Sequence, residues 1–325
     1  LIRSVPVRTF GAPFYAGWGL TADHAAGPVA LAAFARRTAR PDLDSFVAAV
    51  LLHYSRYVDP VTRKATTAEK AIERLIALRR HALARRGNYL CAGFSRHKRR
   101  SVRRFLSGPW STVRFTGPRP SDRELAKADY IVRWGRHDAL PDKISGSIPM
   151  LRMEDGFIRS AGLGSHLVPA SSLCLDRDGI YFDATRESGL ERLLLGTDFT
   201  PDLLHRAALL RRSIVEHDVT KYNLPNTPSP DYRGLAAGRP VVLVAGQVPG
   251  DASLRFGLTG SMSNVDLLKA VRAQRPAAFI IFKEHPDMLA GKRGAAANPI
   301  QLALYSDLVV GNVPAHDLLA ACDEV

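Results

Sequence analysis

The chain has 325 residues, 46% of them apolar, with a formal net charge of +14 and a pI near 10.1. That length buries a real core in two lobes or more, and the excess of base favours an anionic partner (nucleotide-sugar, nucleic acid or anionic membrane surface), although arginine richness also follows from high-GC coding. Cys91, Cys174 and Cys322 are odd in number, far apart and in apolar surroundings, which argues against a disulfide framework or zinc site and for a reducing compartment; no apolar run reaches the ~20 residues that cross a bilayer.

In chain order, residues 5–10 read as a strand running into GAPFYAGWGLT (11–21), whose glycines permit tight backbone passage. Phe14, Tyr15 and Trp18 offer flat faces there, either to stack on a ring or to plug a crossover. From 29 to about 86 the pattern is helical and basic: Phe46, Val50 and Leu51, then Ile72, Leu75, Ile76 and Arg79, recur at helical spacing. Thr66 and Thr67 ahead of Glu69 suggest an N-cap, and Gly87-Asn88 a stop. Arg79, Arg80, Arg85 and Arg86 read as a solvated face.

A new domain is expected to open at 89–94, a short buried strand followed by Ser95 and a basic helix over 98–106. Strands over 112–115 and 130–135 follow, with a helix over 122–128 between them. Short apolar runs alternating with helical spacers argue for a parallel, doubly wound sheet. The run 151–183, LRMEDGFIRSAGLGSHLVPASSLCLDRDGIYFD, is the most informative. A strand ending in Glu154, Asp155 and Gly156 presents carboxylates at a strand tip, where open α/β sheets hold ligands. Arg159 and Ser160 add a cation and a hydroxyl. Residues 172–175 and 179–182 around Arg177-Asp178 predict a hairpin, in preference to a metal-binding D-x-D at Asp176 and Asp178. Gly162-Leu163-Gly164 lacks the context of a dinucleotide fingerprint, and Ser160 and Ser165 lack that of a hydrolase elbow.

Residues 199–222 predict a helix buried along Leu203, Leu204, Leu209 and Leu210, and 223–238 a linker rich in Pro, Asn and Gly. Pure β runs at 240–245 and 278–282, with a helix over 265–274 between them and a third strand at 308–310, make a second Rossmann-like half. VVLVAGQVPGDAS (241–253) runs from a buried strand into a loop carrying Asp251; AFIIFKEHPDM (278–288) ends in Lys283, Glu284, His285 and Pro286. The basic residues lack interleaved aromatics, which argues against nucleic acid as a partner.

In combination, EDGFIRSAGLGS, LDRDGIYFDAT, KYNLP, GQV followed by DAS, KEHPD and GAPFYAGWGLT resemble the bacterial capsular polysaccharide β-Kdo transferases, tandem-module enzymes that build the Kdo linker under exported capsules. The matches span most of the chain. The resemblance implies an α/β fold, a GT-B-like pair of Rossmann-like lobes with parallel sheets, the second lobe truncated, preceded by a helical connector. The expected bounds are 1–24 for the tail of a preceding module, 25–87 for the connector, 88–235 for an N-terminal, acceptor-side lobe and 236–325 for a partial CMP-sugar-side lobe. A start at Leu1, inside a motif and without Met, is what a fragment would show.

The activity so implied is transfer of β-Kdo from CMP-Kdo to a lipid-linked Kdo acceptor, with retention through a glycosyl-aspartate. The donor is a sugar acid whose anomeric carbon bears a carboxylate and one phosphodiester leaving group. Its site needs cations or helix N-termini for the anions and an acid-base group for the acceptor; with a single phosphate a metal is dispensable, and no cofactor beyond the donor is expected. Asp251 is the expected nucleophile, standing at the second acid of the family's D-D-A-S with Gly250 in place of the first; a helix N-cap or Asx turn before Ser253 is the plainer alternative. Glu154 and Asp155 are the acid-base candidates, the longer Glu154 reaching further. Lys283, His285 and Pro286 would meet the departing phosphate, Gln247 and Ser253 add hydrogen bonds, and Arg159, beside Ser160, hold the Kdo carboxylate. Expected partners are the nucleotide-sugar donor, a lipid-linked glycan, capsule assembly and export proteins, and an anionic inner membrane touched peripherally from the cytoplasm. The rival class is a non-catalytic polysaccharide- or lipid-binding component of capsule export, which Gly250 keeps open.

Overall fold

The structure is a computed structural model that describes residues 2–3, 5–24, 27–136, 148–224, 227–258, 260, 262–291 and 298–325. It divides into two compact units, Leu1–Ala84 and Arg85–Val325. No helix among the described residues is long and apolar enough to cross a membrane.

In the first unit, β1 (Arg8–Phe10) pairs in parallel with β2 (Ala22–His24), and α1 (Gly27–Arg36) and α2 (Leu43–Val47) follow. The last of these continues as a π-helical stretch, Ala48–Tyr54, in which Ser55 N donates to Val50 O at 3.1 Å, one residue wider than an α-turn. A small antiparallel pair, β3 (Tyr57–Val58) and β4 (Ala65–Thr66), leads to α3 (Ala68–Ala84). The rings of the glycine-rich phrase are engaged in packing: Phe14 stacks on Phe46 at 6.2 Å, and Arg37 lies over Trp18 while donating to the carbonyls of Pro13 and Ala16 at 2.7 Å. On α3 only Ala68 and Ala71 are buried, and the periodic Ile72, Leu75 and Ile76 face solvent.

The first strand of the second unit starts at Gly87, where the sequence predicts only a helix stop. The elements are β5 (Gly87–Ala92), α4 (Arg96–Leu106), β6 (Ser111–Thr116), α5 (Asp122–Leu125), β7 (Tyr130–Trp134), β8 (Met150–Asp155) and β9 (Leu173–Asp176). They form one sheet in the order β6-β5-β7-β8-β9, parallel except for β9. Alternate residues go to opposite faces: Tyr89 and Cys91 pack with Val102 and Leu106 of α4, while Leu90 and Ala92 pack with Leu125 and Ile131. Both faces are therefore apolar and covered, as a parallel sheet requires. Burial pushes the Cys91 thiol up to about 12, so it behaves as a small core hydrophobe.

Helices α6 (Gly189–Gly196) and α7 (Pro201–Glu216) lead to α8 (Tyr232–Ala236) and the second lobe: β10 (Val241–Ala245), α9 (Ala252–Gly257), α10 (Asn264–Gln274), β11 (Phe279–Lys283), α11 (Pro286–Leu289), α12 (Pro299–Tyr305), β12 (Leu308–Val310) and α13 (Ala315–Ala321). Its sheet is parallel, order β10-β11-β12. Val241, Leu243, Phe279 and Ile281 pack on α8 and α13; Val242, Val244, Ile280 and Phe282 pack on Leu268 and Leu302. The two-lobed α/β expectation is met, with helices on both faces of each sheet.

Two local expectations are overturned. Residues 179–182 form no strand; β9 pairs back on β8 instead, Glu154 opposite Cys174. The cause is Asp176, whose carboxylate accepts the N–H groups of Asp178, Gly179 and Gly189 and turns the chain into the start of α6, sinking Ile180 into the interior. That also commits the first acid of the D-x-D, while Asp178 pairs with Arg192 at 3.2 Å. The second concerns α7, where Leu203, Leu204, Leu209 and Leu210 are exposed rather than buried. The helix is set by Thr200, whose hydroxyl accepts from Leu203 N, and by Pro201 in its first turn; none of its residues is buried.

Candidate active site

The parallel strands of both lobes end at one cleft of about 600 Å³. From the first lobe it receives Trp134, Gly135 and Arg136 after β7, Glu154 and Asp155 at the tip of β8, Arg159, and His97 and Lys98 from the first turn of α4. Gln247, Asp251 and Ser253 after β10, and His285 and Asp287 after β11, come from the second lobe. Carboxyl ends of parallel strands are where open α/β sheets place ligands, because helix N-termini and loop N–H groups converge there.

The two adjacent acids are in different states. Asp155 pairs with Arg159 at 2.8 Å, and that guanidinium also donates to Ser160 Oγ at 2.8 Å and Val168 O at 3.0 Å. Arg159 is thus a buried strut of the loop following β8 that also lines the cleft. Ser160, donating to Gly162 O at 2.7 Å, holds the same loop and does not line the cleft. Glu154 is different. Burial pushes its carboxyl above the usual range; a hydrogen bond from Asp155 N (2.9 Å), and the charges of Lys98 and Lys221, pull back without cancelling that effect. Across from it, burial and the Glu154 charge raise the Tyr181 phenol as well.

Asp251 is both the N-cap of α9 and a wall of the cleft. Its Oδ1 accepts from Ser253 N at 3.0 Å and from Ser253 Oγ at 2.8 Å. The plainer alternative is therefore realised, and it aims the carboxylate rather than removing it from the cleft. Gly250 before it sits at φ +73°, a conformation most side chains resist, with open space where a Cβ would go. Gln247 is oriented by Asn264, whose Oδ1 accepts from its N–H at 3.0 Å, and its side chain approaches Ser253 Oγ at 3.5 Å. His285 caps α11: its Nδ1 accepts from Asp287 N at 3.1 Å, so a neutral ring carries its proton on Nε2 as a donor.

Lys283 and Pro286 lie elsewhere, lining an adjoining cavity of about 240 Å³ that shares Lys221 and Tyr222 with the cleft. Lys283 Nζ donates to Gly311 O at 3.0 Å, and burial lowers its pKa. Of the residues singled out by sequence, seven line the cleft (Asp251, Glu154, Asp155, Gln247, Ser253, Arg159 and His285) and three do not (Lys283, Pro286 and Ser160).

Several cleft residues carry no role in the sequence reading. Lys98 sits over Trp134 with Nζ 3.1 Å from the ring centroid. Lys221 and Tyr222 belong to the KYNLP run, which is laced to the loop after β8: Arg159 N and Ser160 N both donate to Lys221 O, and Asn223 Nδ2 to Ser160 O at 3.1 Å. Arg136 pairs with Asp183, donates to Thr185 Oγ1 at 2.5 Å, and stacks 4.1 Å from the ring of Phe256 on α9. With Ala184 N donating to Phe256 O at 2.9 Å, this ties the first lobe to the second beside the cleft. Among the described residues no group of three His, Cys, Asp or Glu side chains gathers as a metal site would.

Comparison with known proteins agrees with this architecture. The family described as capsule polysaccharide biosynthesis protein matches residues 1–57 and 204–325. The capsule polysaccharide modification protein LipA of Neisseria meningitidis is 36% identical over 332 residues, covering 100% of this chain and 46% of that protein. The lipopolysaccharide-processing protein LpsZ of Rhizobium meliloti is 36% identical over 199 residues, 60% of this chain and 45% of its own length. The chain thus spans about half the length of the curated relatives it matches. Among solved structures, the β-Kdo 2,4 transferase of Thermosulfurimonas dismutans KpsC superposes with a TM-score of 0.59 at 29% identity, over 72% of this chain and 73% of that one. Its β-Kdo 2,7 transferase gives 0.54 at 29% identity, over 73% and 71%.

Proposed function

The chain belongs to the capsule polysaccharide biosynthesis protein family, and we propose that its cleft transfers β-Kdo from CMP-Kdo to a lipid-linked Kdo acceptor during synthesis of a capsule linker, with retention of configuration. The observation that carries this reading is the convergence on one cleft of Asp251, Gln247, Ser253 and His285 from one lobe with Glu154, Asp155 and Arg159 from the other. The likeness to two Kdo transferases supports the choice of sugar.

In the proposed reaction a carboxylate oxygen of Asp251 attacks the anomeric carbon of Kdo as the bond to the phosphate oxygen breaks. CMP leaves with that electron pair, and the sugar becomes an ester of Asp251. His285, donating through Nε2, and Lys221, on the wall common to the cleft and the adjoining cavity, stabilise the phosphate charge. Glu154 then takes the proton of the acceptor hydroxyl, whose oxygen displaces Asp251 from the opposite face; two inversions make a net retention. Asp155 and Arg159, paired with each other, keep the β8 loop and hence Glu154 in place. Gln247 and Ser253 hold the nucleophile and the donor. The reaction takes place on the cytoplasmic side, at an anionic membrane that presents the lipid-linked acceptor and alongside the capsule assembly and export proteins.

The test is CMP release on mixing the protein with CMP-Kdo and a Kdo-terminated lipid acceptor. The proposal expects one CMP per protein without acceptor, sustained release only when acceptor is present, and neither in Asp251→Ala. Unchanged release in that variant would remove Asp251 from the chemistry, and no release from the unaltered protein would favour a binding role in capsule export.

A further inference from the structure

Helix α4 reads RHKRRSVRRFL: six arginines and lysines in eleven residues, and no acid. Val102 and Leu106 face the sheet and are buried. Lys98 rests on Trp134, and Arg99 and Arg103 lie 5.4 and 5.3 Å from the ring of Phe115. Arg96, His97, Arg100, Arg103 and Arg104 are all exposed. Spaced three or four residues apart, they occupy one face of the helix. Among the described residues none of those four arginines makes an ion pair.

This arrangement works against the helix that bears it. Cations in the first turn (Arg96 and Lys98) oppose the helix dipole, which favours acids there. The pairs Arg96/Arg100 and Arg100/Arg104 set like charges four residues apart, with no acid between them to offset the repulsion. A helix needed only to cover the sheet would be steadier with acids at these solvent positions, and an arriving anion would relieve both penalties. The face also begins at the cleft: His97 and Lys98 line it together with a small cavity beyond. From Arg96 to Arg104 it extends outward for roughly 12 Å, at 1.5 Å per residue.

We infer that the arginine face of α4 is a track for the acceptor, gripping the anionic groups of a growing glycan while its end lies in the cleft. The track is read from charge and geometry, and only the identity of the polyanion rests on the proposed transferase activity. The exposed positions 96, 97, 100, 103 and 104 include no apolar side chain to enter a lipid interface, and continuity with the cleft favours a chain over a flat bilayer.

The experiment compares the unaltered chain with the triple variant Arg96→Gln, Arg100→Gln, Arg104→Gln, which keeps all three ring-stacked cations (Lys98, Arg99 and Arg103) and whose fold is checked by circular dichroism. Fluorescent hexagalacturonate serves as a polycarboxylate probe, maltohexaose as a neutral control, and phosphatidylglycerol-containing vesicles as an anionic surface. The track predicts that hexagalacturonate binds, that binding weakens with salt, and that the variant binds about tenfold more weakly with a flatter salt dependence. Maltohexaose should not bind, and the two proteins should bind vesicles alike. The variant should melt no lower than its parent, because like-charge contacts are removed. Equal hexagalacturonate affinity in both proteins overturns the proposal, as does loss of vesicle binding alone. Because this assay uses no CMP-Kdo, its failure leaves the transferase reading standing, and absent CMP release leaves the track standing.

Discussion

Glu154→Gln should separate activity from stability in opposite directions. In the folded protein burial raises the carboxyl's pKa, so the native state holds its proton to higher pH than the unfolded chain does. A native state that binds more protons loses stability as pH rises from the unfolded pKa of about 4.3 through the folded value, and above that value the penalty is complete. Each pH unit between the two values is about 1.4 kcal/mol. Glutamine cannot ionise, and its carbonyl can still accept from Asp155 N as Glu154 Oε1 does at 2.9 Å. The variant should therefore melt higher than its parent at pH 8, with the gap closing towards pH 4. Removing a general base costs about 10²–10⁴-fold in rate, so steady-state CMP release in the presence of acceptor should fall by that factor in the same samples. Thermal melts across pH, paired with initial rates, read both. A variant that melts lower at pH 8, or that keeps its rate, refutes the assigned state and role of Glu154.

Other outcomes follow from the same contacts. Asp251→Asn keeps an acceptor for Ser253 N and should melt close to the parent while transfer is lost, whereas Asp251→Ala also loses the cap, about 1 kcal/mol by denaturant unfolding. Arg136→Met removes the nearer cation from the nearly fully buried carboxylate of Asp183, leaving Arg186 Nε at 3.7 Å, and should cost about 2 kcal/mol at pH 7. Burial alone would raise that carboxyl, but the Thr185 hydrogen bonds and Arg136 outweigh it and hold it low, so this stability is present above the unfolded pKa of about 3.9 and lost as pH falls through the folded value; the gap between variant and parent should narrow below that pH. Gly156→Ala drives a methyl into Ser172 Oγ and to 3.0 Å from the Ser172 carbonyl carbon, and should destabilise by about 2 kcal/mol, only partly relieved by Ser172→Ala.

The strands of both lobes were legible because apolar runs buried on two faces leave a continuous signature, as in VVLVA and FIIF. Acids at the tip of β8 and in the loop after β10 could be placed in the cleft by the strand-end rule alone. That rule equally covers Trp134 and Arg136 at the end of β7, which went unassigned because a tryptophan and an arginine in a basic chain look unexceptional. Lys283 shows the limit in the other direction: it ends a strand, yet its ammonium turns to Gly311 O and away from the cleft. The hairpin after Asp176 failed because one carboxylate can collect three N–H groups and override β propensity, a choice periodicity does not encode. On α7 helical spacing was read correctly, but spacing says which residues share a face and not whether anything covers it.

The central claim is that Asp251 becomes covalently glycosylated in the cleft between the lobes. Mass spectrometry of the protein incubated with CMP-Kdo and no acceptor tests it most directly. The account predicts a gain of one Kdo unit on the peptide containing Asp251, absent in Asp251→Asn and discharged when acceptor is added. Transfer that proceeds with no adduct, or with an inverted anomeric configuration in the product, would contradict it.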